Sequence, residues 1–227
     1  MRAFLRMLIV ISVPFVLLMG VVRAFTLPWY PTWAYERAAF PADPGGMPDA
    51  WRLYLAQRCI AYLNLPRGVV SLEALQLLDG APAFNAREIS HMADVKRVYD
   101  QLTAFAAVAL VASVAAGWVL HRRWPTPEVW RALADGGLLT VLILSALGVW
   151  MLVGWEAFFT QFHALFFAGG SWLFRWDDTL IRLFPMDFWQ WAGLMIAGIV
   201  AGIALLLALA GRIVVRRHQI RSQGQEK

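Results

Sequence analysis

A chain of 227 residues that is 60% hydrophobic and only 15% charged, with a mean hydropathy of +0.57, lies outside the range of a water-soluble domain. The formal net charge of +5 is not a nucleic-acid signal, because the basic residues collect at the ends of apolar runs, where membrane topology accounts for them. One cysteine, Cys59, excludes an internal disulfide; it reads as a small apolar residue on a helix face, with a thiol nucleophile as the less favoured reading.

Four apolar stretches are each close to the ~20 residues needed to cross a ~30 Å hydrocarbon core: 5–25, 102–120, 138–154 and 191–211. Backbone groups in lipid must pair internally, so the expected fold is an all-α membrane protein, a four-transmembrane-helix bundle. The first stretch (within 1–25) is read as a retained anchor rather than a cleaved signal, despite Val22-Arg23-Ala24. The second and third spans fall within 102–154, and the fourth, with a basic tail, within 191–227. Placing both termini and the 121–137 connection in the cytoplasm puts ten basic residues there, Arg2 through Lys227, against Glu128, Asp135 and Glu226. The positive-inside rule then turns 26–101 and 155–190 outward.

Within the first outward segment, 26–101, Phe25 to Pro48 is predicted to be irregular on account of its prolines and Gly45-Gly46. Ala50 to Leu63 is predicted to be helical, with Leu53, Ala56, Ile60 and Leu63 as its apolar stripe. Ser71 is expected to cap a short helix ended by Gly80, burying Leu72, Leu75 and Leu78. A last helix starts near Arg87 and feeds the second span. Together these make a small, mostly helical extracytoplasmic cap. Residues 155–191 carry thirteen of the chain's 31 aromatic residues, a density that suits a segment lying in the outer leaflet.

Two of the four histidines fall in these outward segments, and histidine is the side chain that exchanges protons near neutral pH. On a helix, Glu88, His91 and Asp94 share a face, so either carboxylate could reach the His91 ring. Lys96 and Arg97 point elsewhere and suit lipid phosphates. His163 shares a face with Phe159, Phe166 and Phe167, an apolar setting that disfavours the imidazolium and keeps the ring available as a base. A straight helix would lift His91 ~16 Å above Leu102, beyond a ~5–7 Å headgroup layer, unless the chain bends near Asp100–Gln101. His121 and His218, among arginines, read as solvated. His91, Asp94 and His163 form only a weak zinc-ligand pattern, so no metal is expected. Nucleophile elbows, phosphate-binding glycine loops and a His-Glu-x-x-His pair are all absent from the sequence.

The run Glu88-Ile89-Ser90-His91-Met92-Ala93-Asp94-Val95-Lys96 and the later run Phe162-His163-Ala164-Leu165-Phe166-Phe167-Ala168-Gly169-Gly170-Ser171-Trp172 resemble the two signatures of the lipoprotein intramolecular transacylases (Lit). Asp178, Leu183-Phe184-Pro185 and Phe188-Trp189 extend the resemblance. It implies an enzyme that moves the sn-2 acyl chain of a diacylglyceryl-modified lipoprotein onto the α-amine of its own N-terminal cysteine. The product is a lyso-form lipoprotein, and the resemblance implies no external cofactor. It also implies a bacterial cytoplasmic membrane and places the two functional histidines at His91 and His163.

Ester aminolysis needs proton removal from the amine, a stabilised oxyanion and a proton for the leaving oxygen, which two histidines can divide. His91 is the expected base, because Glu88 and Asp94 would stabilise its cation, and His163 then serves the glycerol side. Phe159, Phe166 and Phe167 would hold acyl chains, and Arg175 or Arg182 would bind a phosphate or the oxyanion. Membrane lipids are the other expected partners. The competing readings are another lipid-modifying or metal-dependent membrane hydrolase, and a non-catalytic membrane assembly factor.

Overall fold

The computed structural model describes residues 1–66, 70–124, 127–167 and 170–224. Ala168, Gly169, Glu226 and Lys227, used in the sequence argument above, lie outside the described residues. The fold is helical: α1 (Arg2–Phe25), α2 (Trp29–Glu36), α3 (Asp49–Asn64), α4 (Ala86–Arg123), α5 (Glu128–Val153), α6 (Trp155–Phe166), α7 (Thr179–Leu183) and α8 (Met186–Gly224). Among the described residues the only β pairing is an isolated bridge between Gln76 and Pro82. Helices α1, α4, α5 and α8 are long and apolar enough to cross a membrane; α1, α4 and α8 contain the first, second and fourth predicted spans, and α5 contains the third except for Gly154, its C-cap. Helix α4 continues without interruption through Asp100 and Gln101.

The chain divides into two compact units. The first comprises residues 1–21, 102–154 and 196–227. Its core gathers Ile9, Val13, Ala116, Leu120 and Ala132. Small residues let the helices approach closely, as lipid-embedded bundles require. A Cβ at Gly136 would meet the Val13 side chain 2.8 Å away, and one at Gly137 would strike the carbonyl oxygen of Ala204. Many of the other residues of these helices are apolar and exposed, as at Leu142, Leu152 and Leu206, which is a surface made for acyl chains rather than water.

The second unit comprises residues 22–101 and 155–195. Its helix α3 buries Arg52, Leu55, Ala56, Cys59 and Ile60, one position round from the predicted stripe, leaving Leu53 and Leu63 half-buried. The displaced position is held by Arg52, whose side chain is 1% exposed. Its Nε and Nη2 donate to the Arg182 carbonyl at 3.2 and 2.6 Å, and its Nη1 donates to Pro41 O at 3.0 Å and Asp49 Oδ1 at 2.9 Å. The guanidinium also lies over the Tyr35 and Phe40 rings, a cation–π setting.

Two expectations for the 26–101 segment are corrected. Trp29–Glu36 is a helix rather than irregular chain: Pro28 and Pro31 fall at its cap and first turn, where the missing N–H is lost without penalty. Residues 71–80 are not a helix. Leu77 N donates to Ala81 O (2.8 Å), Ala83 N to Leu75 O (2.8 Å) and Gly80 N to Leu77 O (3.0 Å), and Gly80 has φ +86°. This is a tight turn whose left-handed residue follows Asp79, and the Asp-Gly pair signals such a turn. Leu72 and Leu75 are buried as expected, but Leu78 is 64% exposed at the turn.

Candidate functional site

Helix α4 begins with a capping box. The Asn85 side chain accepts from the backbone N–H groups of Arg87 (3.0 Å) and Glu88 (3.1 Å), while Glu88 reaches back to accept from Asn85 N at 2.8 Å. The second Glu88 oxygen accepts from Leu180 N at 2.7 Å, in the first turn of α7. One buried carboxylate thus fastens the starts of two helices and stays off the His91 ring. Burial pushes the Glu88 carboxyl above its ordinary range, and these backbone donors oppose that shift. Replacing Glu88 by alanine removes a cap and strands a buried N–H. The expected cost is about 2–3 kcal/mol of unfolding free energy, read from denaturation in detergent.

One turn further along α4, His91 is 8% exposed and precedes the apolar 102–120 stretch of the helix. Its ring packs edge-on against Phe167 (centroids 5.0 Å apart) and Phe174 (5.2 Å). His91 Nδ1 is buried without a hydrogen-bond partner among the described residues. Burial, reinforced by the neighbouring His163 and only weakly opposed by Asp94, pulls the His91 pKa down to about 4. Asp94 turns its carboxylate to Arg97 at 2.8 Å. Lys96 does not face lipid phosphates: it is 4% exposed, and its Nζ donates to Leu63 O and Leu65 O at 3.0 Å each, satisfying the end of α3.

His163 sits on α6 in an aromatic nest. Its ring lies 4.0 Å from Phe159, 5.0 Å from Trp172, 5.5 Å from Phe162 and 5.8 Å from Phe167, centroid to centroid. Nδ1 is 2.8 Å from the Phe159 carbonyl oxygen. A carbonyl can only accept, so Nδ1 carries the proton and Nε2 presents a lone pair. Burial also lowers the His163 pKa, partly offset by that bond. The side chain of Phe167 thus contacts both rings, and burial lowers the pKa of each.

Phe166 touches Phe162 and Phe167 at the edge of this cluster (5.1 and 6.4 Å). The two arginines are engaged elsewhere. Arg182 grips Asp43 with Nε at 2.9 Å and Nη2 at 2.7 Å, while the exposed Arg175 pairs with Asp177 at 2.9 Å. Cys59 is buried on α3, and burial pushes its thiol up, away from the thiolate a nucleophile needs. Among the described residues no three His, Cys, Asp or Glu side chains gather as metal ligands would. Sequence reasoning missed the contacts of Trp172 with His163 and of Phe174 with His91. Both follow a turn at Gly170 (φ +69°), beyond the reach of helical periodicity; that glycine was the only signal.

A histidine whose folded-state pKa lies below its unfolded value binds its proton more readily when unfolded. Stability is therefore complete above about pH 6.5 and falls as the pH drops toward about 4. The thermal midpoint in detergent is expected to fall across that window, and His91→Gln should flatten the dependence; an unchanged slope in the variant contradicts the assignment.

Fold and site together define a class: a multi-pass helical membrane protein carrying two neutral imidazoles in an aromatic cluster. A sequence model of the family "Lipoprotein intramolecular transacylase Lit" matches residues 7–189, and the chain belongs to this family of membrane transacylases that act on lipoproteins. An uncharacterised protein of Aquifex aeolicus (strain VF5) is 32% identical over 197 residues, 87% of this chain and 88% of that one. The fold is shared with the membrane-integral Lit of Bacillus cereus solved in meso, at a TM-score of 0.74 and 20% identity, covering 97% of this chain and 98% of that one. Structures of that protein with a histidine changed to arginine or to alanine give TM-scores of 0.69 at 19% identity, covering 97% of this chain and 95% and 96% of theirs.

Proposed function

We propose that this protein transfers the sn-2 acyl chain of a diacylglyceryl-modified lipoprotein to the α-amine of the same molecule's N-terminal cysteine, using His91 and His163 as the proton-handling pair. The observation that carries this reading is that two buried imidazoles both contact Phe167, one with its tautomer fixed. The α-amine nitrogen attacks the ester carbonyl, a C–N bond forms, and the tetrahedral intermediate collapses with loss of the glycerol oxygen. One proton leaves the amine and one reaches that oxygen, so the conversion is an isomerisation.

The base role expected of His91 rested on Glu88 and Asp94, and both carboxylates are engaged with other partners. His163, with a lone pair on Nε2, is the better-prepared base. His91 then polarises the ester or returns a proton to the glycerol oxygen. Holding ester and amine on one molecule supplies proximity without a second binding event. The phenylalanines 159, 166 and 167 shield the reacting groups from water and contact the acyl chains.

The reading includes a membrane orientation with both termini and the 121–137 connection in the cytoplasm and with 26–101 and 155–190 on the outer face, which the charge asymmetry supports. Incubating the purified protein with a diacylglyceryl lipopeptide tests the reaction. The expected result is loss of the free α-amine with no change in intact mass, and no loss of activity with a chelator. A retained amine, or a mass decrease by one acyl chain, contradicts it.

A further inference from the structure

In the first unit, α5 and α8 meet backbone to backbone: a Cβ at Gly211 would strike the Trp130 carbonyl oxygen, and one at Gly137 the Ala204 carbonyl oxygen. Contact this close depends on small residues and fixes the two helices side by side. Next to it the same helices line a cleft of about 470 Å³ that includes Arg131, Asp135, Arg212 and Arg216. The nearby carboxylates do not neutralise it. Buried Glu128 is shared by Arg2, Arg6 and Arg131, and Asp135 accepts from Arg6 at 3.2 Å. Arg212 and Arg216 make no ion pair among the described residues, so five arginines face two carboxylates.

We propose that this cleft binds the phosphate of an anionic glycerophospholipid headgroup. Guanidinium groups grip phosphate oxygens in a fork geometry, and basic clefts between spanning helices are suited to lipid headgroups. The neighbouring surface favours a lipid over a free anion: Leu209, one turn before Arg212, is 59% exposed, and Ile213 and Trp130, next to Arg212 and Arg131 in the chain, are 51% and 42% exposed, offering apolar surface for acyl chains. The topology rule explains why arginines lie at this end of the helices. It does not require three of them, from two helices, to converge on one cleft.

Native mass spectrometry of the full-length protein titrated with dioleoylphosphatidylglycerol tests the proposal. Arg212→Gln/Arg216→Gln is expected to weaken binding about thirtyfold, from about fivefold per arginine at an anionic surface. Arg217→Gln/Arg221→Gln, an equal charge change outside the cleft, should keep the wild-type affinity. Both pairs lie on the exposed side of α8, so folding is not at stake. Wild-type affinity in the first variant, an equal loss in the second, or equal binding of dioleoylphosphatidylcholine would overturn the proposal. Displacement of the lipid by inorganic phosphate alone would also overturn it by marking a site for soluble anions, whereas failure of phosphate to displace it supports the lipid assignment.

Discussion

Replacing His163 by alanine is expected to slow formation of the N-acyl product by about 10²–10⁴-fold, the range over which a positioned acid or base contributes to catalysis. His91→Ala should cost a similar factor. The double variant should fall little further than either single one, because groups that act as a unit are not additive. The reason lies in the role proposed for each ring. His163 is held with Nδ1–H on the Phe159 carbonyl, which leaves Nε2 to receive a proton, and burial keeps it neutral. His91 is neutral for the same reason and lies against Phe167 and Phe174. The one hydrogen bond of the His163 ring goes to a carbonyl in its own helix, and His91 Nδ1 has no partner among the described residues, so neither ring ties distant elements together and alanine variants should remain folded by denaturation and by size in detergent. Reaction rates within threefold of wild type for both single variants would remove the two-histidine account.

The second large effect concerns stability. Arg52→Ala is expected to cost about 3–5 kcal/mol, because the Pro41 and Arg182 carbonyls lose buried donors at about 1–3 kcal/mol each and the packing of Tyr35 and Phe40 is lost as well. Arg52→Lys should recover only part of this, since an ammonium cannot span two carbonyls and a carboxylate with a planar fork. Chemical denaturation in detergent reads the difference. A loss below about 1 kcal/mol, the worth of a surface pair, would show that the Arg52 contacts are dispensable.

The parts of the fold legible in the sequence are those governed by local rules. The four spans follow from apolar length, α3 and the start of α4 from helical periodicity, and the apolar setting of His163 from its spacing to Phe159 and Phe166. What the sequence concealed depends on distant partners. Leu53 reads as a better core residue than Arg52 until the carbonyl of Arg182, 130 positions away, supplies an acceptor. Lys96 reads as a surface cation because nothing local reveals that the end of α3 needs a donor. Glu88 shares a face with His91 and invites an electrostatic role, yet Asn85-x-x-Glu88 was already a capping box in the sequence, and that stronger local rule prevails. The same holds for Asp79-Gly80, where turn chemistry overrides a pattern of leucines.

At the candidate site the two histidines were identifiable and their mutual arrangement was not. His91 and His163 are 72 positions apart in the sequence, and their shared contact with Phe167 emerges only when α4, α6 and the Gly170 turn are folded together. Under the proposed function this cluster serves a single intramolecular transfer. A crossover experiment tests it most directly. Two diacylglyceryl lipopeptides of different sequence, one carrying a deuterated sn-2 acyl chain, are mixed with the purified protein, and the products are fragmented by tandem mass spectrometry. The account predicts deuterium only on the α-amine of the peptide that brought it. Deuterated acyl on the other peptide, or a free deuterated fatty acid, would contradict it.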